Sequence, residues 1–309
     1  MTRELVLVHG RSQHDRDPDE LKAEWVEALH KGLGRCGLTL PIPESAIRFP
    51  FYGDALRDMT DRADEAVAVA DIVIRGDGSK LDPHHTRFLV AALHEAALAT
   101  GAEENELSGV DSGSLTGRGM VHTERLRTLL AVLDRRVPAL GGALIARVML
   151  DVHTYLTVRA LAARIDDGVR EAFGPSGKAA VVVAHSLGSV VAYCLLRGQD
   201  LSARKLITLG SPLGVSVIRR ALRPLAHPPG VGRWLNARDV RDVIALHPLD
   251  ATRFPVRPPI EDLATVDNHT PNRHGIAGYL SAPDVAARIH DALREDAEVR
   301  ATDPPGETS

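Results

Sequence analysis

Apolar and polar positions follow two rhythms along this chain. Short unbroken apolar runs, Glu4–Gly10 and Ala179–Ala184, stop at a turn or a polar corner and read as buried strands. Elsewhere an apolar residue returns every three or four positions. Leu21, Trp25, Leu29 and Leu33 mark one face of a helix that Asp17 can cap, Pro18 can open, and Gly32, Gly34 or Gly37 can end. Ala46–Leu56 reads as a second strand running into a loop, so the chain opens with the β-α-β unit of a parallel sheet.

From about residue 54 to 150 the helical rhythm takes over. "DEAVAVADIVI", "PHHTRFLVAALHEAALAT", "TERLRTLLAVLDRRV" and "GALIARVMLDV" each read as a helix, and Gly101–Met120, rich in Gly, Ser and acids, reads as a mobile loop. The block is expected to be a helical insertion over the sheet. Tyr155–Phe173 is predicted as one more amphipathic helix. Further strands follow: one beginning at Lys205, one over Arg233–Arg238 and one near Leu263–Val266. "PDVAARIHDALRED" is the last helix, and residues 296–309 are expected to be disordered. The whole chain, 1–309, is thus predicted to be a single α/β domain, a mostly parallel sheet flanked by helices.

Composition narrows the picture. With 309 residues and 44% hydrophobic positions, the chain can bury a large core. A formal net charge of -4 and 4% aromatic residues speak against nucleic acid as a partner. No apolar stretch approaches the length that crosses a bilayer, and the amino-terminal apolar run is too short for a secretory leader, so no stable membrane insertion is expected. Two cysteines far apart, Cys36 and Cys194, suggest free thiols in a reducing, cytoplasmic setting. In that setting the sequon Asn268-His269-Thr270 is coincidental.

One corner is unusual. The apolar strand at Ala179–Ala184 passes through His185 and Ser186 directly into a helical pattern, with no loop between. A strand, a tight turn centred on serine and an immediate helix describe a nucleophile elbow, here A-x-S-x-G from Ala184 to Gly188. The flanking residues must be small because strand and helix pass close together. The backbone N–H of Leu187, at the start of the helix, can stabilise a developing oxyanion. A second donor is expected in the turn after the first strand, at Arg11 or alternatively Ser12. The plainer possibility is that Ser186 merely caps a buried helix.

A serine needs a base, and the base needs an orienting carboxylate. In the chain order Ser, Asp, His, the candidates are Asp242 and His274, each in a loop after a predicted strand. Asp242 is preferred because "DVIALHP" can turn back and resume apolar packing; Asp239 is its rival and Asp267 a weaker one. His274 is preferred because Gly275 and an apolar run to Tyr279 can lock its loop; His269 is its rival. His185 is expected to orient the elbow, and His84, His85 and His94 to lie on solvated helix faces. No cluster has zinc spacing.

The segments "VLVHGRSQ", "AHSLGSVVAY", "LITLGSPLG", "WLNARDVRDVIA" and "NRHGIAGYL" resemble the α/β-hydrolase superfamily, and within it the lipase and GPI-inositol-deacylase-like bacterial serine hydrolases. The resemblance covers about the first 55 residues and the region from Asp151 onward; the helical block has no counterpart. It implies Ser186 as nucleophile, Asp242 as acid, His274 as base and the Arg11 and Leu187 amides as oxyanion hole, with no metal or organic cofactor. The expected activity is cleavage of a small-molecule carboxylic ester with an apolar part, the helical block capping Ser186. The same residues could serve a peptidase, lactonase, thioesterase or acyltransferase, and an idle interaction module on this fold is the alternative of a different kind.

Overall fold

A computed structural model describes residues 4–10, 17–52, 83–107, 118–198 and 200–294. Among these residues the apolar runs form six strands: β1 (Leu5–Val8), β2 (Ile47–Arg48), β3 (Lys178–His185), β4 (Ser202–Leu209), β5 (Val231–Ala237) and β6 (Glu261–Leu263). They make one sheet in the order β2-β1-β3-β4-β5-β6, with every neighbouring pair parallel. The chain steps outward from β1 to β2 and then crosses back to lay β3 on the other side of β1. The winding therefore reverses between β1 and β3, and an open α/β sheet places ligands at the carboxyl ends of such a pair.

The helices among the described residues are α1 (Pro18–Arg35), α2 (Pro83–Ala99), α3 (Glu104–Leu107), α4 (Arg118–Arg136), α5 (Gly142–Thr157), α6 (Arg159–Glu171), α7 (Leu187–Leu196), α8 (Ser216–Ala221), α9 (Ile276–Leu280) and α10 (Pro283–Arg294). Alternating strand residues feed two apolar layers. Val6, Val8, Val182, Ala184 and Leu206 join the layer built by α2 and by α4 to α7. Leu5, Leu7, Val181, Val183, Ile207 and Leu209 join the layer built by α1, α9 and α10. The described part of the helical insertion thus shares its core with α7, the helix that follows the serine.

Several predicted boundaries move, each for a local reason. The helix expected over Tyr155–Phe173 is two, because the chain is extended at Val158 (φ -98, ψ 90). Thr154 and Thr157 there turn their hydroxyls back onto the carbonyls of Leu150 and His153, which loosens the last turn of α5. The strand expected from Ala46 is only two residues long; Pro50 offers no N–H to the ladder. β6 lies earlier than Leu263–Val266, and Val266 is buried in the core instead of paired. Gly101–Met120 is not one loop, since α3 forms inside it and α4 begins at Arg118. The helix predicted over "DEAVAVADIVI" and the tail 296–309 lie outside the described residues.

Two glycines explain how closely these layers meet. Gly32 does not end α1; it sits inside the helix, where a Cβ would stand 2.4 Å from the Leu280 carbonyl, and the stop comes at Gly37 with φ +67. At Gly188 a Cβ would stand 2.4 Å from the His9 carbonyl oxygen and 2.5 Å from that of Val8. Both obstacles are backbone and cannot swing away. Gly188→Ala is therefore expected to destabilise the protein by about 2–4 kcal/mol, the upper range of overpacking, as read from urea denaturation midpoints. A variant as stable as the parent would mean that α7 and β1 are not pressed together.

Candidate active site

Ser186 follows directly on β3 with φ 52 and ψ -126, a conformation that costs a non-glycine residue about 1–3 kcal/mol. Its surroundings hold it there. Ser186 N donates to the Leu209 carbonyl at 3.1 Å, and the Ser186 carbonyl accepts from Ser189 N at 2.9 Å and Ser189 Oγ at 2.6 Å. Ser189 Oγ also lies 2.7 Å from Ser211 Oγ, which ties the turn to the segment after β4. Ser186 occupies the cap position of α7, yet its side chain makes no capping hydrogen bond. The hydroxyl instead lies 2.9 Å from His274 Nε2. The helix-cap role therefore does not explain this serine.

His274 Nδ1 lies 2.7 Å from Asp242 Oδ2. A carboxylate only accepts, so Nδ1 carries the proton and Nε2 is left to accept from the Ser186 hydroxyl. Asp242 is itself fixed on both oxygens. Oδ1 accepts from Ile244 N at 2.9 Å and Ala245 N at 3.4 Å, and Oδ2 also accepts from the Tyr279 hydroxyl at 2.6 Å. Burial, with the Asp242 charge beside it, raises the Tyr279 phenol well above its ordinary value, so it stays a donor. These three residues come from the ends of β3 and of the chain segments after β5 and β6.

The rival residues have other work. Asp239 accepts from Arg241 N at 2.8 Å, Arg241 Nε at 3.2 Å and Asn268 N at 2.9 Å, and does not face His274. Asp267 is exposed and bonded to Arg241 and Arg273; the hydrogen bond from Arg241 holds its carboxyl below the usual range. His269 is exposed, whereas its neighbour Asn268 is buried and shapes the base loop, accepting from Thr270 and donating to the Gly275 carbonyl at 2.9 Å. Leu187 is the first residue of α7, so its N–H has no partner within the helix. Arg11 and Ser12 lie outside the described residues. Gly10, the last described residue before them, lies beside the serine: a Cβ on it would stand 3.0 Å from Ser186 Cβ.

Two histidines frame the site. His185 Nε2 donates to the His274 carbonyl at 2.8 Å, which anchors the base loop to the elbow. His9 packs face to face on Tyr52 with ring centres 3.9 Å apart; its Nδ1 donates to the Gly10 carbonyl and its Nε2 accepts from Tyr52 N. His9 and Tyr279 carry no motif, and only the apolar strand end and the run behind Gly275 hinted at them. Of the helical histidines expected on solvated faces, His84 is exposed, but His85 meets the buried His153 edge-on and His94 pairs with Glu104, both half-buried.

Burial pushes the His9 imidazole down to about 4 and His185 down to about 3, with His274 adding to the effect on His185. Both rings are neutral in the folded protein, whereas an unfolded histidine titrates near 6.5. The unfolded chain therefore binds more protons between those values. The resulting stability is fully present above pH 6.5 and is lost as pH falls toward 4. Each ring is expected to add a slope of up to about 1.4 kcal/mol per pH unit across that window. Urea denaturation from neutral pH downward should show this decline, and His185→Phe should remove one ring's share. An unchanged slope in that variant would mean that His185 already accepts a proton in the fold.

Both cysteines are free, and burial together with the Asp166 charge pushes the Cys194 thiol up to about 12. Among the described residues no group of three or more His, Cys, Asp or Glu side chains could hold a metal ion, and no helix is long and apolar enough to cross a membrane. Comparison of the chain with protein-family models, with curated proteins and with solved structures finds no match.

Proposed function

We propose that this chain is a serine hydrolase of the α/β-hydrolase kind that cleaves a carboxylic ester through an acyl-enzyme. One observation carries the reading: a serine strained to φ 52 offers its Oγ at 2.9 Å to an imidazole whose other nitrogen is 2.7 Å from a buried carboxylate. A structural serine has no use for that strain.

In the proposed reaction Ser186 Oγ attacks the ester carbonyl carbon while His274 Nε2 takes the hydroxyl proton. Asp242 keeps the ring in the required tautomer and stabilises the imidazolium. The carbonyl oxygen, now negative, is met by the Leu187 N–H at the start of α7 and by the Arg11 N–H. Collapse of this intermediate expels the alcohol, which takes the proton from Nε2. Water then repeats the sequence on the acyl-enzyme and restores the serine. His185 and Tyr279 touch no reacting atom; they hold the base and the acid. The helical insertion is assigned the boundary of the acyl pocket, and the two free thiols suit a cytoplasmic location.

The test is labelling of the full-length chain with a fluorophosphonate, followed by a panel of esters of increasing acyl length. Stoichiometric labelling at Ser186 and turnover on one part of the panel are expected. A folded protein that neither labels nor turns over any ester would leave the chain an idle module on this fold.

A further inference from the structure

Away from the serine, α2, α4, α8 and the segment His247–Arg253 line a cavity of about 710 Å³ that is wide open to solvent. Ser186, His274 and Asp242 do not line it. Its size falls among those that hold small organic ligands. Arg87, Arg125, Arg220 and Arg253 line it, against one carboxylate, Glu95. These four arginines come from four separate parts of a chain whose formal net charge is -4, so the fold has gathered them.

Glu95 does not balance that charge. It accepts from His247 Nε2 at 2.6 Å, Ser216 N at 2.9 Å and Ser216 Oγ at 3.0 Å, and stands 3.6 Å from Arg253. Burial alone would raise its pKa, but these hydrogen bonds hold it below the usual range, so it remains an anchored anion. Among the described residues, only Arg253 of these four has a carboxylate within ion-pair distance. The neighbouring Arg219 is drawn below its ordinary value by burial and then by Arg253, with Glu95 opposing the shift and Arg223 and Arg220 adding to it.

One side of the wall is aliphatic. Val90, Ala91, Leu98 and Ala99 share the cavity face of α2. Leu98 is 38% exposed, and among the described residues only Val240 is another large apolar side chain left so open. Among the described residues no Phe, Tyr or Trp lines the cavity; its only rings are the imidazoles of His94, paired with Glu104, and His247, paired with Glu95.

We propose that this cavity binds a phosphate monoester that carries a short aliphatic chain. A phosphate dianion presents enough oxygens and charge for several guanidinium forks, where a carboxylate would leave most of them unmatched. The chain lies along α2 over Leu98. The site stands whether or not Ser186 is a nucleophile.

The experiment is isothermal titration of the full-length protein at about pH 8, where the monoester is a dianion. The probes are octyl phosphate, inorganic phosphate and octanoate. One equivalent of octyl phosphate is expected to bind at least about tenfold more tightly than either of the others. Arg125→Ala combined with Arg220→Ala, both exposed positions, should weaken octyl phosphate by at least about tenfold. Leu98→Asn should weaken octyl phosphate and leave inorganic phosphate unchanged, and Ser186→Ala should bind octyl phosphate like the parent. The proposal fails if octyl phosphate binds no more tightly than inorganic phosphate, if the double variant, with an unchanged denaturation midpoint, binds like the parent, or if Ser186→Ala abolishes binding.

Discussion

Replacing Ser186 by alanine is expected to lower kcat on a responsive ester by about 10⁵–10⁶-fold and to abolish fluorophosphonate labelling. The substitution removes one oxygen and nothing else that the turn depends on. The bonds that hold the turn, from Ser186 N to Leu209 and from Ser189 to the Ser186 carbonyl, use the backbone of residue 186 and survive. Folding stability should stay within about 1 kcal/mol of the parent, the worth of one hydrogen bond, so lost turnover would report chemistry alone. His274→Ala should cost nearly as much, and combining the two should add little, because either loss already disables the unit. Turnover retained by Ser186→Ala at more than about a hundredth of the parent rate would refute the proposed nucleophile.

Asp242→Asn is expected to cost about 10⁴-fold in kcat, with the fold intact. Asparagine can still accept from Ile244 N and Ala245 N through its carbonyl oxygen. Its amide then faces His274 Nδ1 and the Tyr279 hydroxyl, where an acceptor used to be. The imidazole answers by moving its proton to Nε2, and a protonated Nε2 cannot take the serine proton. Asp239→Asn supplies the contrast. Asp239 reaches the base loop only through Asn268 N and the arginines, so its loss should change kcat by less than about tenfold. Equal losses at both positions would remove the distinction between orienting acid and loop anchor.

What the chain disclosed in advance, and what it withheld, follows from the range of the forces involved. The elbow was readable because its demands are local: an apolar strand, small flanking residues and a helix with no intervening loop. The layers were readable because strand alternation and the four-residue spacing of α1 are local as well. Asp242 and Asp239 lie three residues apart in one segment, and the apolar run after Asp242 gives a preference between them without deciding it. The choice is made by Tyr279 and His274, which arrive from more than thirty residues downstream. The end of α5 at Val158 and the earlier position of β6 were missed for a related reason, since threonine back-bonding and the ladder with β5 outweigh an apolar count. The arginine-lined cavity could not be foreseen at all, because its residues are scattered from Arg87 to Arg253.

The chain has two tryptophans, and the sheet separates them. Trp25 lies among the residues of one layer and Trp234 among those of the other. Trp25 meets the edge of the His185 ring with centres 6.3 Å apart, so it stands one side chain away from the base loop. Intrinsic emission is thus a built-in optical gauge of the two faces, and Trp234→Phe would leave Trp25 as the lone tryptophan, reporting on the His185 side during unfolding or acidification.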